Sequence, residues 1–175
     1  MIGKARFYDS DRYKISYLRI PKTASTSVIK AMQMVEVPIP SHKRLITVIR
    51  NPYDRILSMY HECKRSNHKD TDTFMDWLDR VIKEGYYNDH ANPMSNVFNQ
   101  AIVKGYKFWK IYDHQALELL EADFRLKLPH ENKTLYGAKF EYTADESIRA
   151  FQAFTRDFSF YCKVNAATFF KGYNQ

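Results

Sequence analysis

Ile15-Ser-Tyr-Leu-Arg-Ile20 runs straight into Pro21-Lys-Thr-Ala-Ser-Thr-Ser27, and Arg44-Leu-Ile-Thr-Val-Ile49 runs into Arg50-Asn-Pro-Tyr-Asp-Arg-Ile-Leu-Ser58. Each is a short β-branched run with a proline close behind it, followed by residues that restart at helical spacing. The first run predicts a strand ended by Pro21, because the residue before a proline favours extended backbone. Thr23, Ser25 and Thr26 are N-cap types, and Val28, Ile29, Met32 and Val35 predict a helix from about Ser25 to Val35, ended by Pro38 and Pro40. The second run is continuously apolar, as expected of a central parallel strand covered on both faces.

The remaining chain extends this pattern. Ile56, Leu57 and Tyr60 continue a helix, and Phe74, Trp77, Leu78 and Ile82 mark another that ends near Gly85. Lys107-Phe-Trp-Lys-Ile-Tyr112 predicts a third strand, followed by a helix carrying Leu117, Leu119 and Leu120, a polar loop from Pro129 to Lys139, and a last helix from about Ala144 to Phe154. Strands alternating with helices predict an α/β layer fold, a small parallel sheet flanked by helices. With 5 Gly, 6 Pro and no internal repeat, nothing marks a boundary, and residues 1–175 are expected to form one domain.

Composition narrows the function. Hydrophobic residues at 45% provide a core, and 27 Lys plus Arg against 20 Asp plus Glu give a net charge of +7, which favours an anionic partner. Nucleic acid, a phosphorylated cofactor, an acidic sugar and a membrane surface all satisfy that charge. No apolar run approaches the roughly 20 residues of a membrane span, and the N-terminus opens no signal-peptide pattern, so a soluble cytoplasmic protein is expected. Cys63 and Cys162 lie far apart with no partner at zinc spacing, which predicts two plain buried or half-buried thiols.

The segment 21–27 places a lysine and four hydroxyl residues at the start of a helix, where unpaired N–H groups and the helix dipole favour an anion. A Walker A loop would need glycines to wrap the phosphates, and this stretch has none, so an ordinary ATP or GTP site is not expected. Helix capping by Thr23 or Ser25 is the plainer reading. The segment 50–58 leaves the same predicted sheet edge, where ligands of open α/β sheets bind, so that Arg50 and Ser58 would grip a second phosphate. Pairing of Arg50 with Asp54 is its plainer reading.

Taken together, the two segments resemble the cofactor motifs of sulfotransferases that use 3′-phosphoadenosine 5′-phosphosulfate. Residues 21–27 are similar to the 5′-phosphosulfate loop, especially that of heparan sulfate 2-O-sulfotransferases, and residues 50–58 to the 3′-phosphate strand and helix, with its Arg and Ser eight positions apart. His90-Ala-Asn-Pro-Met-Ser95, the stretch from Tyr112 to Phe124, Leu128-Pro-His-Glu-Asn-Lys-Thr134 and Arg156-Asp-Phe-Ser-Phe-Tyr161 resemble further landmarks of carbohydrate-type sulfotransferases, in the same order. The resemblance implies a P-loop-like sulfotransferase domain and transfer of a sulfuryl group from that donor to an acceptor hydroxyl or amine of a carbohydrate or small molecule, leaving 3′,5′-adenosine bisphosphate. It assigns Lys22, Thr23, Ala24, Ser25, Thr26 and Ser27 to the phosphosulfate and Arg50 and Ser58 to the 3′-phosphate; the transfer needs no metal in principle, and Lys133 in the late polar loop is a candidate for closing over the nucleotide, a solvated lysine being its plainer reading.

Lys22 is the expected catalytic cation. For the general base, His42 and His90 are the histidine candidates, with Glu62 and Asp89 behind them. Lys64, Arg65, Lys69, Lys104 and Lys107, interleaved with Tyr86, Tyr87, Tyr106 and Trp109, are candidates for an acceptor groove. The larger Golgi relatives carry a membrane anchor, so a chain of this kind is expected to be a soluble bacterial or viral enzyme or an excised catalytic domain. Two other readings compete: an ATP-dependent small-molecule kinase, which calls for a magnesium-binding carboxylate, and a basic module for RNA or single-stranded DNA, which calls for clustered basic residues without a cofactor loop.

Overall fold

The computed structural model describes residues 4–66, 73–85, 92–129 and 141–172. The elements follow in the order β1 (Arg6–Ser10), β2 (Ile15–Arg19), α1 (Ser25–Ala31), β3 (Val35–Val37), β4 (Leu45–Ile49), α2 (Pro52–Ser66), α3 (Phe74–Glu84), α4 (Met94–Val103), β5 (Phe108–Asp113), a 3₁₀ turn over His114–Ala116, α5 (Leu117–Phe124) and α6 (Ala144–Gly172). The five strands form one sheet in the order β3-β1-β2-β4-β5. The three strands predicted from sequence, β2, β4 and β5, pair in parallel, with Leu18 opposite Thr47 and Ile49 opposite Asp113.

The sheet is mixed rather than wholly parallel. β1 pairs antiparallel with both β2 and β3, and the β1–β2 hairpin spans only Asp11 to Lys14, with Lys14 at φ 53. A turn that short can join antiparallel neighbours only, since a parallel return requires a crossover. β3 also replaces the end of the predicted first helix. Gln33 takes a left-handed φ of 51 and the Met34 N–H donates to the Ile29 carbonyl, a Schellman-type end that stops α1 early and frees Val35–Val37 to pair along β1. A glycine usually marks such an end; here glutamine takes the position, so composition gave no warning. The Ser10 hydroxyl completes the stop by donating to the Met32 carbonyl at 2.7 Å.

Alternation along β4 divides the core. Ile46 and Val48 face a cluster with Val28, Met32, Tyr112, Leu120 and Phe124, while Leu45 and Ile49 face the opposite cluster with Leu18, Ile20, Met94, Val97 and Ala101. A third cluster joins α2, α3 and α6 through Ile56, Met59, Trp77, Leu78, Ala150 and Phe154. Cys63 belongs to it, whereas Cys162 is exposed, contrary to the expectation of two sheltered thiols. The last helix runs beyond its predicted end, and Phe154 leaves helical geometry at φ −126 and ψ 30 while stacking on Trp77. The predicted boundary is a kink.

Just beyond that kink the buried Asp157 accepts a hydrogen bond from Arg55 Nη1 at 2.6 Å, and neither side chain is exposed. Arg55 also donates to the carbonyls of Pro21 at 3.1 Å and Asn92 at 2.6 Å, and Asp157 accepts from the Met94 N–H at 2.6 Å. Burial pushes the Asp157 carboxyl up, and the guanidinium and the amides of Met94 and Ser95 oppose that rise. Removing one member strands the other charge without water, which costs about 3–5 kcal/mol. Asp157→Ala should therefore lower the free energy of urea unfolding by that order, whereas a loss under about 1 kcal/mol would show that the pair tethers nothing.

Candidate active site

The loop after β2 is built on one carbonyl. Thr23 Oγ1 donates to the Ile20 oxygen at 2.8 Å and Ser25 Oγ to the same oxygen at 3.2 Å, both hydroxyls being buried. Two of the four hydroxyls expected to face a ligand thus fold the loop itself; Thr26 is exposed and Ser27 buried. Lys22 and Ala24 adopt left-handed φ values of 67 and 63. For residues with a Cβ each such torsion costs roughly 1 kcal/mol or more. The loop takes left-handed turns without a glycine, and left-handed residues beside right-handed ones are a backbone pattern from which anion-binding concavities are built. No side chain caps α1 at Ala24, so capping does not account for the hydroxyls.

Lys22 projects toward α2. Its Nζ lies 3.0 Å from Glu62 Oε2, with both side chains 18% exposed, and Glu62 also accepts from Arg65 Nη2 at 2.6 Å. Burial pushes the Lys22 ammonium below the usual lysine range, and Glu62 acts against that fall. Arg50 enters from the end of β4: its Nη1 donates to the Lys22 carbonyl at 3.3 Å, and its Nε is buried with no hydrogen-bond partner among the described residues. A buried guanidinium donor without a partner calls for a hydrogen-bond acceptor, and an oxyanion is one group that meets that need. Burial lowers the Arg50 pKa and Asp54 opposes this. Asp54, Ser58 and Glu62 stand four residues apart on α2 and so share one face; since Glu62 meets Lys22, half-buried Ser58 lies on the crevice side between the two turns.

Lys22, Arg50 and Ser58 are therefore brought to one crevice, together with the loop residues 23–27. His42 is not. Its backbone N–H donates to Ser16 Oγ at 3.1 Å and its Nε2 lies 3.3 Å from Asp11, at the N-terminal ends of β2 and β4. β4 runs parallel to β2, so the chain must return to that far end before starting it, and His42 is carried to the sheet edge opposite the loop. His90 and Lys133, like Asp89, Lys69, Tyr86 and Tyr87, lie outside the described residues. The expected acceptor groove is dispersed among its described members: Tyr106 packs edge-on against Phe7, Lys64 lies over Tyr60, Arg65 binds Glu62, and Trp109 sits beneath Arg44 at the far sheet edge.

Residues 36–161 match the sulfotransferase family, with Arg50, Ser58 and Asp157 inside the match and the 21–27 loop just before it. The chain belongs to that family. No curated protein and no solved structure matches it. Sulfuryl transfer is thus the family's chemistry, and the mixed α/β sheet flanked by helices agrees with its P-loop-like fold. Among the described residues no helix is long and apolar enough to cross a membrane, and no group of three or more His, Cys, Asp or Glu stands ready to hold a metal ion.

Three features of this crevice escaped sequence reasoning: Arg55 and Asp157, which are 102 positions apart, and the Glu62 carboxylate as the partner of Lys22. Arg55 and Asp157 each fall inside one of the motifs above, but no spacing rule joins them. Glu62 is held at about 2, well below the ordinary 4.5, by hydrogen bonds from Arg65 and then Lys22 against the opposing effect of burial. A depressed carboxylate contributes stability above its ordinary pKa and loses it as pH falls toward the folded value. The stability difference between the native chain and Glu62→Gln should accordingly stay constant near neutral pH and narrow progressively below pH 4.5 in urea unfolding. A difference independent of pH would contradict the tether.

Proposed function

We propose that the protein transfers a sulfuryl group from 3′-phosphoadenosine 5′-phosphosulfate to an acceptor hydroxyl or amine of a carbohydrate or small molecule. The observation that carries this reading is the 3.3 Å contact between Arg50 and the Lys22 carbonyl, which sets two anion-seeking turns side by side on one sheet edge. A donor with phosphates at both ends of its ribose suits such a pair, and the orphaned Arg50 Nε supplies a donor for the 3′-phosphate beside Ser58.

The donor brings an activated sulfuryl group on its 5′-phosphate. The residues of the 21–27 loop bind and orient that phosphate through their N–H groups, and Lys22 stabilises the charge that develops on the bridging oxygen as the sulfur–oxygen bond breaks. The acceptor atom forms the new bond to sulfur and loses a proton. His90 is the histidine we propose to take it: Arg55 binds the carbonyls of both Pro21 and Asn92, so the chain two positions after His90 lies beside the loop. Lys133 is proposed to close over the nucleotide.

Isothermal titration calorimetry with 3′,5′-adenosine bisphosphate, AMP and ATP tests the reading. The bisphosphate should bind most tightly, and Arg50→Ala should reduce its affinity roughly 10- to 100-fold, toward that of AMP, as expected for loss of a charge-assisted phosphate contact. Lys22→Ala should abolish transfer of labelled sulfate while far-ultraviolet circular dichroism stays native. Preference for ATP would support a kinase instead, and an unimpaired Lys22→Ala enzyme would remove the lysine from the chemistry.

A further inference from the structure

The parallel pairing of β4 with β5 sets a third group on the same sheet edge. Ile49 and Asp113 are register partners, and the next residue of each strand is Arg50 and His114, so the two side chains leave neighbouring strand ends about 4.8 Å apart in backbone spacing. Along the edge the order is the 21–27 loop after β2, Arg50 after β4 and His114 after β5. A ligand whose one phosphate lies in the loop and whose other lies at Arg50 therefore points that second phosphate toward His114. The 3₁₀ turn that begins at His114 is fixed from both sides, because Asp113 caps it through the Gln115 N–H at 2.8 Å and also accepts from the Tyr161 hydroxyl of α6 at 2.5 Å. His114 itself is half-buried.

We infer that His114 is a third ligand of the 3′-phosphate, acting with Arg50 and Ser58, and that it makes the grip on this phosphate dependent on a proton. This rests on the donor reading above. The groups facing the imidazole are Arg50 at the end of β4, Asp54 on α2 and Asp113 at its own strand end, with Tyr161 of α6 bound to Asp113 and Glu118 of α5 exposed one turn further on. Burial, and then the Arg50 cation, hold the imidazole below the ordinary histidine range, against the pull of Asp54 and Asp113, so the ring is neutral at neutral pH before ligand arrives. A phosphate placed between Arg50 and His114 reverses that field. The ring then takes up a proton on binding and donates an N–H to a phosphate oxygen.

The sign follows from linkage. A group whose pKa is raised by the ligand strengthens binding fully below its free value and loses that contribution as pH rises through its bound value. The 3′-phosphate's own second ionisation works in the opposite direction, but it is common to the native protein and a His114 variant and cancels between them.

The test measures affinity for 3′,5′-adenosine bisphosphate and for AMP by calorimetry from pH 5.5 to 8, on the full chain and on His114→Gln. The native preference for the bisphosphate over AMP should grow severalfold, relative to that of the variant, as pH falls across this range, toward the factor of about ten that a rise of about one in the imidazole pKa gives once pH lies below its free value. Equal preferences in the two proteins at every pH overturn the proposal while leaving the donor reading intact; absence of bisphosphate binding by the native chain at any pH overturns both. Should His114→Gln fail to fold, the imidazole titration followed by NMR in the native chain decides. Its pKa should rise with the bisphosphate and not with AMP, and a pKa unchanged by the bisphosphate overturns the proposal.

Discussion

The buried Arg55–Asp157 pair is the contact on which the arrangement of the crevice depends. One guanidinium holds the Pro21 carbonyl at the start of the 21–27 loop, the Asn92 carbonyl ahead of α4 and the Asp157 carboxylate beyond the α6 kink. Two charges without water are favourable only when their remaining hydrogen-bonding capacity is met, and here the Met94 N–H and the Pro21 and Asn92 carbonyls contribute to meeting it. The consequence is geometric. Arg55 stands in the first turn of α2, five residues after Arg50 at the end of β4, so the residue that locks the loop and the residue that touches the Lys22 carbonyl are set by one piece of chain.

That lock also explains how the loop tolerates its own torsions. Lys22 and Ala24 sit in left-handed conformations that glycine would enter with less strain. The surrounding contacts over-determine the path: Thr23 and Ser25 bind the Ile20 carbonyl from within, Arg55 holds Pro21 and Arg50 holds Lys22 from outside. Strain of this kind persists where neighbours enforce it and is concentrated at functional sites. The absence of glycine, which in sequence argued against a Walker loop, thus goes with a loop whose left-handed residues are held in place by their neighbours.

The net charge of +7 acquires a distribution as well. Arg55 is neutralised in the interior, Lys22 and Arg65 share Glu62, and Lys110 pairs with Asp123 at the side of β5. Arg50, beside the 21–27 loop, retains a buried Nε without a partner among the described residues. Among the described residues, Tyr106, Lys64, Arg65 and Trp109, which looked like parts of an acceptor groove in sequence, are divided between core packing, contacts along α2 and the far sheet edge.

What the sequence determined by itself is local. Two strand-to-helix units, their cationic and hydroxyl residues, and the helices around Trp77 and Leu120 were legible because strand periodicity, proline stops and helix caps act over a few contiguous residues. Boundaries failed where a neighbour overrode them: Gln33 ends α1 without glycine, and Phe154 bends a helix that composition would have ended. Only the tertiary structure decided which residues share an edge. His42 went to the far end of the sheet and His114 to the crevice end because strand direction and order, set by burial across the whole chain, are not written in any short stretch. The same physics joined Arg55 to Asp157, whose meeting reflects the exclusion of water from a pair 102 residues apart rather than any motif.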